Sequence, residues 1–176
     1  MSSSAKELIN SFIRDIPDFP APGILFKDIT PVLGDASAFS AAVDGLIEIA
    51  GEFDLIAGVE ARGFIFGAAM AAKCGVGFVP IRKSGKLPYA SHSESYALEY
   101  GSSTLQIHED AIAPGVRVLM VDDVLATGGT LIAAAKLIER CGGTLSGAVV
   151  LMEITGLSGQ ANFSTAFPGK TISVLI

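Results

Sequence analysis

Four short apolar runs constrain this chain more than any other feature: Leu55–Val59, Val76–Ile81, Val116–Val121 and Leu145–Met152. They do not alternate apolar with polar residues, as a strand with one wet face would. Each is apolar along most of its length, so each must be covered on both faces. Helical stretches separate them. Arg62 to Lys73 predicts a helix ending near Gly75, and Thr130 to Arg140 predicts another, stopped by Gly142–Gly143. Buried strands alternating with helices predict an α/β fold, with a central, mostly parallel sheet flanked by helices. Thr171 to Ile176 predicts a last strand. In such sheets ligands bind beyond the carboxyl ends of the strands. The places to search are therefore Glu60–Arg62, Arg82–Lys86, Asp122–Thr130 and the residues after Met152.

The flanking segments read differently. Ser4–Glu7 has capping-box spacing, and Leu8, Phe12 and Ile13 give a helical stripe, so a helix is expected from about Ala5 to Arg14. Phe19–Pro20–Ala21–Pro22–Gly23 forbids regular structure and predicts an extended, turning hood. Asp35 can cap a helix running to about Ala50. Arg82 to Ser95 is polar and reads as a long loop, with Tyr96–Tyr100 and Thr104–Ile107 forming a hairpin through Gly101. We expect one domain over residues 1–176, with a helix and hood in 1–34 and a flexible lid in 82–103.

Composition narrows the function. The chain has 176 residues, half of them hydrophobic and only 17% charged, so ordering entropy is offset by burial. A net charge of −6 argues against nucleic acid as a partner. Two cysteines, Cys74 and Cys141, are too few for a disulfide scaffold. The longest near-continuous apolar stretch, Gly63–Ala72, is well short of the ~20 residues of a membrane span, and no signal-peptide core precedes it. A cytoplasmic setting without membrane partners is the expectation.

The chemistry is concentrated in Val118–Leu119–Met120–Val121–Asp122–Asp123–Val124–Leu125–Ala126–Thr127–Gly128–Gly129–Thr130. A hydrophobic strand leads to two acids, a short turn and a helix opened by small and hydroxylated residues. The glycines admit a ligand close to the backbone. The first amides of the following helix lack internal partners and form an anion site, to which the Thr127 and Thr130 hydroxyls add donors. Carboxylates do not bind phosphate, so Asp122 and Asp123 must face something neutral or cationic attached to it: a ribose diol or a magnesium ion. No P-loop ending and no dinucleotide fingerprint is present.

This string resembles the phosphoribosyl pyrophosphate (PRPP) motif of the type I phosphoribosyltransferases. Phe19–Ile29, Ala61–Phe64, Arg82–Pro88 and Leu98–Gly101 extend the resemblance over nearly the whole chain, toward the adenine branch of that family. The resemblance implies the type I phosphoribosyltransferase fold and a purine-salvage reaction, in which PRPP and adenine give AMP and pyrophosphate. It implies that Asp122 and Asp123 bind the ribose hydroxyls and that Ala126, Thr127, Gly128, Gly129 and Thr130 cradle the 5-phosphate. Ala61 and Arg62, with Arg82 and Lys86, would meet pyrophosphate. Leu25, Phe26, Lys27 and Ile154 would surround adenine, and Lys27 stands where many members have arginine, losing the bidentate fork. Glu99, on the lid, would be the catalytic carboxylate. Mg2+ would arrive with PRPP, and the molecule would be a homodimer.

The chemistry of the residues agrees with parts of this. In an acidic protein, an anionic substrate needs cations gathered locally, and Arg62, Arg82, Lys83 and Lys86 are the candidates. A carboxylate on a closing lid can take the proton of an attacking purine nitrogen and oppose charge developing on the ribose. Closure keeps water from the same carbon. His92 and His108 have no partners at metal-ligand spacing. Two rivals remain: the same fold with a 6-oxopurine or xanthine acceptor, and a PRPP-sensing regulator of transcription, which the acidic charge disfavours.

Overall fold

A computed structural model describes residues 3–97 and 102–176. Its seven-stranded sheet is built around the four apolar runs. β3 (Leu55–Val59), β4 (Gly77–Lys83), β7 (Arg117–Leu125) and β8 (Thr144–Glu153) are parallel neighbours in the order β4-β3-β7-β8. β9 (Ile172–Val174) adds a parallel edge beside β8. β5 (Ser91–Ala97) and β6 (Ser102–His108) form an antiparallel hairpin joined to β4 at the other edge.

The central strands divide their side chains between two cores. Val118 and Met120 of β7 pack with Leu131, Leu137 and Ile138 of α5 (Gly129–Arg140). Leu119 and Val121 pack on the opposite face, with Leu46 of α3 (Ala36–Ile49) and Phe66 and Met70 of α4 (Arg62–Cys74). Both faces of β7 are therefore dry, which is why its sequence is apolar without alternation. Asp35 caps α3, its Oδ1 accepting from the Ala38 amide at 2.8 Å. Gly75 ends α4 with φ +70°, a left-handed conformation natural to glycine.

Several boundaries differ from expectation. The first helix, α1 (Ser3–Phe12), stops before Arg14, which opens β1 (Arg14–Pro17). β1 pairs antiparallel with β2 (Leu25–Asp28), so the expected turning hood over Phe19–Gly23 connects the strands of a two-stranded ribbon. The prolines sit in that turn, where no ladder amide is required. The expected loop over Arg82–Ser95 holds only for residues 84–90: β4 runs through Lys83, β5 starts at Ser91, and Ser91 faces His108 across the ladder. Its polar residues stand on an edge hairpin with a wet face, a pattern easily mistaken for loop. Two helices were not foreseen: α2 (Thr30–Gly34) and α6 (Gly159–Ala166). Leu98–Gly101, with Glu99, lies outside the described residues.

One surface clamp fixes the register of β3 and β7. Arg117 donates to both carboxylate oxygens of Asp54, at 2.9 and 2.7 Å, and to Glu52. These bonds hold the Asp54 carboxyl down at about 2. A carboxylate depressed in the folded state adds stability above its unfolded pKa and loses it as pH falls through the folded value. Between about pH 4 and about pH 2, the wild-type melting temperature should therefore fall more steeply than that of Asp54→Asn. Parallel curves over this window would show that the clamp adds nothing.

Candidate active site

The chain passes from β3 to β4 on one side of the sheet and resumes at β7 on the other side of β3. That reversal leaves a crevice beyond the carboxyl ends of β3 and β7. A cavity of 520 Å³ lies there. Its floor is Asp122 and Asp123, its walls are Glu60–Arg62 and Ala126–Gly128, and Phe26 of the hood also lines it.

Two helices begin at this cavity, α4 after Ala61 and α5 after Gly128, and neither start carries a side-chain cap. Helix starts leave first-turn amides without intrahelical partners and put a positive dipole end behind them, though the Phe64 amide of α4 donates to the Ala61 carbonyl at 3.3 Å. Gly128 takes φ +85° to turn the chain from β7 into α5. The cavity thus has a helix start at each of two corners, with a pair of acids between them.

The acids lie within the last part of β7 rather than in a turn after it. Asp122 is 8% exposed and Asp123 3%. Burial pushes both carboxyls up, Asp122 well above the usual range, and the neighbouring Asp123 charge raises Asp122 further. The Asp122 Oδ1 accepts from the Asp123 amide at 2.9 Å. Arg62 Nε lies 2.9 Å from Asp123 Oδ2 and opposes the rise at Asp123. The Arg62 guanidinium also sits 5.3 Å from the centre of the Phe26 ring, joining hood, helix start and acid pair.

Gly63 explains how α4 comes so close. A Cβ there would lie 2.7 Å from the Val121 carbonyl oxygen and 3.0 Å from Asp122 Oδ1. The first is backbone, and the buried Asp122 Oδ1 is held by the Asp123 amide. Gly63→Ala should therefore push α4 and Arg62 off β7, costing about 1–3 kcal/mol and several degrees of melting temperature in a thermal scan. An unchanged melting temperature would show that the helix start yields freely.

The structure brings together in the cavity lining Phe26, Ala61, Arg62, Asp122, Asp123, Ala126, Thr127, Gly128 and Thr130. Gly129 opens α5 beside them. Arg82, Lys86, Lys27, Leu25 and Ile154 are not among those lining residues. Arg82 forks onto Glu60 at 3.1 and 3.2 Å, donates to the Lys86 carbonyl at 3.0 Å, and holds the Glu60 carboxyl below its ordinary pKa. Lys27 pairs with Asp15 across the hood ribbon at 2.7 Å. Leu25 is half exposed. Ile154 donates its amide to the Leu125 carbonyl at 2.8 Å. Lys83, expected as one of the cluster's cations, lines the cavity, and Glu60 and Tyr96 line it without having been assigned a contact in advance. Glu60 directly follows β3 at the ligand edge, a signal that was available; Tyr96 depends on the hairpin folding back, which no local pattern announces.

The site's design recurs in known proteins. A family model described as the phosphoribosyl transferase domain matches residues 32–163. An adenine phosphoribosyltransferase of Thermobifida fusca is 55% identical over 91% of this chain and 92% of its own. One from Cutibacterium acnes is 50% identical over 97% of each. The chain belongs to the phosphoribosyl transferase family, in its adenine phosphoribosyltransferase branch. Among solved structures, adenine phosphoribosyltransferase from Thermoanaerobacter pseudethanolicus superposes with a TM-score of 0.90 at 51% identity, covering 97% of this chain and 98% of that one. The Saccharomyces cerevisiae adenine phosphoribosyltransferase, complexed with an imino-altritol bisphosphate and adenine, gives 0.91 at 34% identity, covering 99% and 100%. The type I phosphoribosyltransferase fold implied by the resemblance is the fold observed. No described helix is long and apolar enough to cross a membrane.

Proposed function

We propose that this cavity transfers the 5-phosphoribosyl group of PRPP to adenine, forming AMP and pyrophosphate in purine salvage. The observation that carries the reading is the pair of uncapped helix starts on either side of the buried acids. PRPP has the matching layout, with an anion at each end and a diol between. The start of α5, with Thr127 and Thr130, takes the 5-phosphate. The start of α4, with Arg62 and Lys83, takes the pyrophosphate. Asp122 and Asp123 accept from the ribose hydroxyls. Arg82 and Lys86 belong to the same basic cluster, and Arg82 reaches pyrophosphate only by leaving Glu60.

The base nitrogen attacks the anomeric carbon as the bond from that carbon to pyrophosphate breaks, with inversion. The proton on the attacking nitrogen passes to Glu99, and the pyrophosphate leaves with the bonding pair. Phe26 stacks on the base. The Leu25 carbonyl accepts from adenine's exocyclic amine and would repel the oxo group of hypoxanthine or guanine. Lys27 and Ile154 flank the base pocket without lining the cavity described above.

Asp122, Asp123 and Glu60 line the cavity and would offer hard oxygen donors to a Mg2+ ion carried by PRPP, the ligand type that ion prefers. Among the described residues no three His, Cys, Asp or Glu side chains form a metal cage. When bound, the ion would neutralise charge on the leaving pyrophosphate. The molecule works in the cytoplasm as a homodimer, a state that light scattering would check.

The deciding experiment supplies PRPP and magnesium with adenine, hypoxanthine, guanine or xanthine and follows pyrophosphate release. Release with adenine alone is expected. Turnover of an oxopurine in preference would overturn the base assignment, and no release with any base would overturn the reaction.

A further inference from the structure

Behind the loop that turns from β7 into α5 lies the short helix α6, which no reading of the site has used. Its position is fixed by Phe163, fully buried in the core that also holds Leu131 and Leu137 of α5. The neighbouring residue, Asn162, donates its Nδ2 hydrogen to the Thr127 carbonyl at 2.9 Å. One turn earlier Gly159 lies directly against the loop. A Cβ there would run into the Ala126 carbonyl oxygen, and one on Gly128 would lie 2.8 Å from the Gly159 carbonyl oxygen.

These contacts fix the direction of two peptide units. Neither Ala126–Thr127 nor Thr127–Gly128 is cis. In a planar trans peptide the carbonyl and the N–H point to opposite sides. The Ala126 carbonyl is directed at Gly159, so the Thr127 amide is directed away from α6. The Thr127 carbonyl is directed at Asn162, so the Gly128 amide is directed away as well. Thr127 and Gly128 line the cavity on that other side. Among the described residues neither amide donates to a backbone or side-chain acceptor.

We infer that Asn162, seated by Phe163 and backed by Gly159, is a positioning residue that aims the Thr127 and Gly128 amides at the ribose phosphate. It touches no reacting atom. Its hydrogen bond holds one carbonyl outward, so that the amides are already set when the anion arrives and no ordering cost falls on binding. This rests on the reading of the loop as the 5-phosphate site.

The test compares AMP with adenosine, which lacks the phosphate, by calorimetry on the full chain. Asn162→Ala removes the donor, Asn162→Leu removes it while keeping bulk, and Asn162→Gln keeps a donor. The Ala and Leu variants should bind AMP about fivefold or more weakly, with adenosine unchanged and the melting temperature close to wild type, while Gln retains AMP affinity. AMP affinity unchanged in both the Ala and Leu variants overturns the inference. So does an equal loss for AMP and adenosine, which would mean a general structural role. Should the wild type bind AMP no more tightly than adenosine, the phosphate reading itself falls, and this inference with it.

Discussion

Changing Asp122 and Asp123 together to asparagine should lower kcat/KM for PRPP by about 10³-fold and raise the melting temperature of the unliganded protein. Both effects come from the same burial. In the free protein two carboxylates sit side by side in the interior, 8% and 3% exposed, with Arg62 paired to Asp123. Desolvation pushes both up, so ionising them at neutral pH costs stability. Because these are raised acids, the cost is absent below the unfolded pKa. It grows as pH rises and is complete once pH passes the folded pKa.

Asparagine keeps the Asp122 oxygen that accepts the Asp123 amide and supplies a neutral donor toward its neighbour. A gain of about 1 kcal/mol would lift the melting temperature by about 2–4 °C at this size. The PRPP complex should respond in the opposite sense. Each charged acceptor facing the diol is worth about 1.5–3 kcal/mol, and asparagine's amide offers less. Steady-state kinetics and a thermal scan on the same preparation check both. A variant that melts lower and still turns over would refute the assignment of the acids to the sugar.

Glu99→Gln should cut kcat by about 10²-fold or more while leaving the affinity for PRPP nearly intact. Glutamine fills the same space but cannot accept the proton that the base nitrogen must release. β5 and β6 flank the segment that carries Glu99, pairing from Ser91–His108 to Ala97–Ser102, and Tyr96 of β5 lines the cavity. Glu94, also on β5, pairs with Lys136 and Arg140 of α5, each at 2.9 Å, tying the hairpin to the helix whose other end opens at the cavity. A pre-steady-state measurement of AMP formation separates chemistry from product release. An unchanged chemical step would remove Glu99 from the mechanism.

The layered sheet was legible because its cause is local. Val118 to Val121 must be dry on both sides, and Gly75 and Gly142 end helices through their own backbone freedom. The strand–acid–glycine order of 118–130 was legible too, since orphan amides and a glycine turn are properties of consecutive residues. The hood ribbon was harder, because its two strands have four residues each and little buried surface. A hairpin was expected between Tyr96 and Ile107, but not its start at Ser91 or its pairing with β4 through Arg82 and Gln106, which lie far apart in the chain.

The sequence by itself determined a parallel sheet with an acid pair and an anion loop at its ligand edge, because burial on two faces and unpaired helix amides follow from nearest neighbours. Tertiary structure alone decided the rest. It laid Gly63 against Asp122, turned Arg82 to Glu60 and Lys27 to Asp15, and set α6 behind the Thr127 carbonyl. A charged side chain settles on whichever opposite charge the fold brings within reach, and no reading of adjacent residues contains that distance.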